Sequence, residues 1–175
     1  KKILLSELQK KRIFDVMALK GYAKDWSSAK LMVRDDPYFS VKRRKPAVLD
    51  MIALVHAAGG IAILAHPYLI DERIEWNGAQ AERWTLLDAM ISEGLDGMEV
   101  RYTYDKTICK DKRPREEIWQ EVRERIAGRV FLSGGSDYHN DAKKGAKTPR
   151  ELGECGLTLE EFLNTPKLAA LYRAV

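Results

Sequence analysis

Cysteine is scarce in this chain: Cys109 and Cys155 are the only two in 175 residues, and they lie far apart. Two distant thiols build neither a disulfide scaffold nor a paired zinc knuckle, so both are read as free. Long apolar stretches are missing as well. Runs such as Ile61 to Ala65 fall far short of the ~20 residues that span a bilayer. The opening Lys1-Lys2-Ile3 offers no small-residue cleavage site of a signal peptide. The expectation is a cytoplasmic protein with no membrane partner. There is no internal repeat, no low-complexity tract and no initiator methionine. The chain opens at Lys1 directly in a helical pattern and is expected to be a piece of a longer protein.

What is present is the composition of an ordinary globular domain, 45% hydrophobic, with 30 basic against 26 acidic residues. That balance suits an anionic partner without requiring one, so local clusters carry more information than the total. Ile3, Leu4, Leu5, Leu8, Phe14, Met17 and Leu19 recur at helical spacing and stop at Gly21, a common residue just past a helix end. Asp25 is placed to cap a helix through Val33, which Asp35-Asp36-Pro37 ends. This gives a small helical region over 1–41, ahead of a second unit over 42–175.

In the second unit the pattern alternates. Ala47 to Ala58 reads as a helix, and Ile61 to Ala65 as a short strand buried on both faces. Ala79 to Glu93 is again helical, and Leu95 to about Tyr102 is a strand. Ile118, Val122 and Ile126 space a third helix, followed by a strand over Arg129 to Ser133. Helices alternating with strands imply parallel pairing and an α/β fold; three strands are too few to close a barrel. Farther on, Thr158 and Glu161 form a capping box, and Thr165-Pro166 starts a helix expected to run to Val175.

Two of the three histidines follow expected strands: His66 in Ala65-His66-Pro67, and His139 in Ser136-Asp137-Tyr138-His139. In parallel α/β folds the carboxyl ends of strands are where sites are built. Asp137 and His139 are two apart, so in an extended chain both point to one side and can meet at a metal. Gly134-Gly135 before them allows close backbone approach. Taken singly, a histidine after a strand is more often an ordinary hydrogen-bonded residue, and Asp-x-His occurs widely by chance; the two together, on separate strand ends, carry more weight. His56, in the last turn of its helix, suits the helix dipole and is read as structural.

Three stretches, His56-Ala57-Ala58-Gly59-Gly60-Ile61-Ala62-Ile63-Leu64-Ala65-His66-Pro67, Gly94-Leu95-Asp96-Gly97-Met98-Glu99-Val100 and Gly134-Gly135-Ser136-Asp137-Tyr138-His139, resemble in order and spacing the later motifs of the polymerase and histidinol phosphatase (PHP) family of phosphoesterases. Glu151-Leu152-Gly153 fits the same pattern. Gly21-Tyr22-Ala23-Lys24 resembles part of the helical insertion of the branch that acts on nucleoside bisphosphates and short RNA. The resemblance implies the C-terminal part of a distorted (β/α)7 barrel with a small helical insertion at its start. It also implies a site of two or three divalent metal ions (manganese, iron or zinc), with His66, Asp137 and His139 as ligands. Glu99 is expected near the barrel mouth but not as a ligand. The family's first-strand Asp-x-His-x-His motif and the Thr-Asp-His motif after it have no counterpart here, and an Arg-Pro-His element is unmatched near Arg12-Ile13-Phe14.

Arg101, just after a strand, is the candidate for binding substrate phosphate, because its planar fork suits bidentate contacts. Lys143, Lys144 and Lys147, and the run Lys42-Arg43-Arg44-Lys45, are read first as solvated surface. Two functions follow. In one, the parent protein, completed by a missing N-terminal half, hydrolyses a phosphorylated small molecule or short RNA, this chain alone being inactive. In the other, the chain is a degenerate PHP module kept for binding or assembly. Three strands without neighbours leave open edges and uncovered apolar surface. The isolated chain should therefore associate; a compact monomer in light scattering, with no partner chain present, would contradict that.

Overall fold

The computed structural model describes residues 9–39, 45–140 and 147–172. The chain divides into two compact units, Lys1–Lys45 and Pro46–Val175. In the first, helices α1 (Lys10–Leu19) and α2 (Trp26–Asp35) form a hairpin around Phe14, Ala23, Ala29 and Val33. The expected helical start at Ile3 lies outside the described residues. Gly21 takes the positive φ, 75°, that reverses the chain after α1. The Asp25 side chain accepts the Ser28 N–H at 2.7 Å, the expected cap of α2. Trp26 then meets Phe14 edge-on at 5.4 Å.

The second unit runs α3 (Val48–Ala57), β1 (Ile63–Leu64), β2 (Arg73–Trp76), β3 (Ala79–Glu82), α4 (Arg83–Ser92), β4 (Gly97–Arg101), α5 (Arg115–Ile126), β5 (Phe131–Gly134), α6 (Leu159–Leu163) and α7 (Pro166–Ala169). Strands β1, β4 and β5 form a parallel sheet with β4 in the middle, so the expected α/β architecture is present. Among the described residues the sheet has three strands and does not close. Its core is built by strand alternation. Met98 and Val100 of β4 are fully buried with Ile52 of α3, Leu87 of α4 and Ile118, Val122 and Ile126 of α5.

Three expectations need correction. The strand over Ile61 to Ala65 shrinks to Ile63–Leu64 at the sheet's edge, where Ile63 is 40% exposed. An apolar run does not distinguish a central strand from an edge. The helix expected from Ala79 begins only at Arg83, because Ala79–Glu82 pairs antiparallel with Arg73–Trp76. Asn77 and Gly78 between them have φ of 51° and 77°, the two positive values that a tight two-residue hairpin needs. The last helix stops at Ala169, well before Val175. The capping box is present: Thr158 Oγ1 accepts the Glu161 N–H, and Glu161 accepts the Thr158 N–H.

At the amino end of β4, Asp96 is buried and ties three segments together. It accepts the Ala62 N–H at 2.8 Å, meets His56 Nε2 at 2.7 Å and pairs with Lys167. His56 is thus structural as expected, through this carboxylate. Burial pushes the Asp96 pKa up, but Lys167, His56 and the Ala62 amide together hold it down at about 2. A depressed folded pKa adds stability above the ordinary carboxylate range, and that stability is lost as pH falls through the folded value. Asp96→Asn should therefore cost about 2 kcal/mol at neutral pH in urea denaturation, and the gap should close as pH falls from about 4 to about 2.

Candidate functional site

Because β1, β4 and β5 run parallel, their carboxyl ends share one edge, and His66, Tyr102 and Asp137 follow at that edge. The edge expected for His66, Asp137 and His139 is the edge observed. Strand β4 links its neighbours there. Its Glu99 Oε2 accepts the His66 N–H at 2.6 Å, and Tyr102, just past its end, donates its hydroxyl to Asp137 Oδ2 at 3.2 Å. The His66 and Tyr102 rings lie 5.2 Å apart. Between Glu99 and Arg101 the register with β5 slips: Glu99 opposes Ser133 and Arg101 opposes Gly134. Such bulges re-aim side chains at sheet ends.

His66 has φ of 36°, left-handed for a residue with a Cβ, a state costing about 1–3 kcal/mol unless its surroundings hold it. Pro67 disfavours the right-handed helical alternative, and Glu99 fixes the amide. Gly135 lies close by, where a Cβ would stand 2.9 Å from Glu99 Oε1. Burial pushes the Glu99 carboxyl up to about 7; the His66 amide works against this and the Asp137 charge adds to it. The carboxylate therefore lies at the sheet's carboxyl edge.

Asp137 is also left-handed, with φ of 52°, so the chain from Asp137 to His139 is not extended. The two side chains do not simply align, which corrects the geometry expected from their spacing. Instead His139 Nδ1 lies 2.6 Å from the Asp137 backbone oxygen and 3.4 Å from Oδ1, with the imidazole 58% exposed. Arg150 Nη1 donates to Asp137 Oδ2 at 2.9 Å and reaches the Tyr102 hydroxyl at 3.4 Å. Burial and the Asp137 charge push the Tyr102 hydroxyl up to about 12, with Arg150 opposing.

Arg101 closes β4 with Nη2 donating to Glu161 Oε2 at 2.6 Å, while its buried Nε meets no acceptor among the described residues. That pairing with Arg101, with the Thr158 amide, holds Glu161 down at about 2. Lys143 and Lys144 lie outside the described residues; Lys147 is exposed. Sequence reasoning missed Tyr102 and Arg150. Tyr102 had a signal, an aromatic residue just past a strand in line with His66. Arg150 had none, since it reaches Asp137 from 13 residues downstream.

Imidazoles and carboxylates together suit a divalent cation chemically. Among the described residues, however, no three His, Cys, Asp or Glu side chains group as a metal site.

No protein-family model matches the sequence, and no curated protein does. The fold is similar to a crystal structure, at 2.40 Å resolution, of a protein from Bifidobacterium adolescentis provisionally named a metal-dependent phosphoesterase. The TM-score is 0.56 at 24% identity, covering 93% of this chain and 51% of that one. The similarity is one of fold, and this chain spans about half the length of that structure.

The two glycines ahead of Asp137 should differ in their tolerance of a methyl group. At Gly134 a Cβ would lie 2.2 Å from the Cys155 backbone oxygen, which cannot rotate away, whereas at Gly135 it meets the movable end of Glu99. Gly134→Ala should cost about 1–3 kcal/mol in denaturant titration, and Gly135→Ala clearly less.

Proposed function

We propose that this chain is the C-terminal part of a PHP-family phosphoesterase that hydrolyses phosphate esters of nucleotides or short RNA in the cytoplasm. In this reading the distorted (β/α)7 barrel is completed by the remainder of the parent protein. The observation that carries it is the pair of left-handed residues, His66 and Asp137, which follow the strands flanking β4 and are tied to Glu99 within it and to Tyr102 just past its end. Strain held at neighbouring strand ends is characteristic of sites. The fold similarity and the sequence motifs support the same reading.

His66, Asp137 and His139 would hold divalent cations (manganese, iron or zinc), two or three in the complete site. Bound there, such cations supply a water of lowered pKa and neutralise charge on the phosphate. The chain's own residues do the positioning. Glu99 fixes the His66 backbone, and Tyr102 and Arg150 orient the Asp137 carboxylate. Arg101 is assigned to substrate phosphate through the arm of its fork that Glu161 does not hold.

A second reading, a degenerate PHP module that binds or assembles without hydrolysis, is favoured by the Arg150–Asp137 ion pair, which already neutralises one proposed ligand. Phosphate release decides between them. With manganese, the purified chain should leave a nucleoside 3′,5′-bisphosphate and a short RNA intact. The full-length protein should turn them over, and His139→Ala in it should abolish the activity. Turnover by the chain alone, unchanged by His139→Ala, would sink the assignment; an inactive full-length protein would leave the binding module.

A further inference from the structure

A concavity lies away from the strand-end cluster, between the ends of the β2–β3 hairpin, the segment after His66, the loop before α5 and the Glu121–Arg125 side of α5. It encloses about 870 Å³, and neither His66, Glu99, Asp137 nor His139 lines it. That volume falls within the range of small-molecule clefts and exceeds what a lone inorganic ion fills.

Arg83 is the unusual group in its wall. It is only 8% exposed, and its guanidinium lies 3.9 Å from the centre of the Tyr68 ring. Nε donates to the Ile70 carbonyl at 2.8 Å, yet neither Nη finds an acceptor among the described residues. Five carboxylates line the cleft beside four guanidinium and two ammonium groups. Asp111 takes Arg113 through Nε and Nη2, and Glu121 takes Arg113 at 2.7 Å and Arg125 at 3.5 Å. Arg83 is the buried charged group among these lining residues. Trp84 locks the wall by donating Nε1–H to the Tyr68 hydroxyl at 3.3 Å while Arg125 covers its ring.

We infer that this cleft binds an organic phosphate, whose phosphate group takes both Nη groups of Arg83. The fork, held over Tyr68 and by the Ile70 carbonyl, is preorganised for two parallel charge-assisted bonds. The site stands independently of the hydrolytic reading.

The test uses the full chain with EDTA present, so that no metal-bound phosphate contributes. Inorganic phosphate is titrated while the Trp84 Nε1–H and Arg83 Nε–H NMR signals are followed. Saturable shifts at both are expected, with binding at least about tenfold weaker in Arg83→Met. His139→Ala, at the other site, should leave the binding constant unchanged. Absence of a saturable shift at both signals, or equal affinity in Arg83→Met, overturns the inference. Should Arg83→Met not fold, Arg83→Lys replaces it: weaker phosphate binding at an unchanged melting temperature supports the site, and unchanged binding overturns it. Acetate saturating the same signals more tightly than phosphate overturns the phosphate assignment in favour of a carboxylate.

Discussion

Parallel pairing of β4 with β1 on one side and β5 on the other decides where each candidate residue lies. Alternation along β4 sends Met98 and Val100 into the helical side, where they are fully buried, and leaves Glu99 and Arg101 for the other face. Parallel direction then brings the residues that follow all three strands to one edge. His66 is held by Glu99 of β4, and Asp137 by Tyr102 just past the end of that strand. Disturbing β4 would therefore disperse the cluster even if every proposed ligand were kept.

Carboxylates near the two ends of that strand differ in how far partners offset burial. Asp96 loses solvation but gains an ammonium, an imidazole and an amide, and is held at about 2. Glu99 loses solvation, gains a single amide and has Asp137 beside it, and rises to about 7. The first is a structural tie that joins α3, β1, β4 and α7. The second is less compensated, with the His66 amide opposing burial and the Asp137 charge adding to it.

Much of this was legible in the sequence because the signals were local. The Asp25 cap, the Thr158–Glu161 box and the order of helices and strands after Pro46 each depend on residues within a few positions of one another. The hairpin was equally legible, since Asn77-Gly78 is a strong short-range turn signal, but the apolar residues from Ala79 onward were absorbed into the helix that follows. What local pattern could not supply was tertiary. Nothing in Ile61 to Ala65 says that its strand is an edge. Nothing in Asp137-Tyr138-His139 says that Asp137 turns left-handed, or that Tyr102 and Arg150 reach its carboxylate from elsewhere.

Arg150 also bears on how the two functional readings differ. It engages Asp137 through Oδ2, the oxygen that Tyr102 shares, while Oδ1 is the one closer to His139. A carboxylate oxygen has lone pairs to spare, so an arginine on Oδ2 and a cation on Oδ1 are compatible within one carboxylate. Arg150 then orients Asp137 and leaves the His139 side for a metal. Were the cation to need both oxygens, Arg150 would have to withdraw, and the ion pair would compete with metal. The difference between a working ligand and a neutralised one thus rests on whether Asp137 binds through one oxygen or two. The division of its two oxygens between Arg150 and His139 favours one.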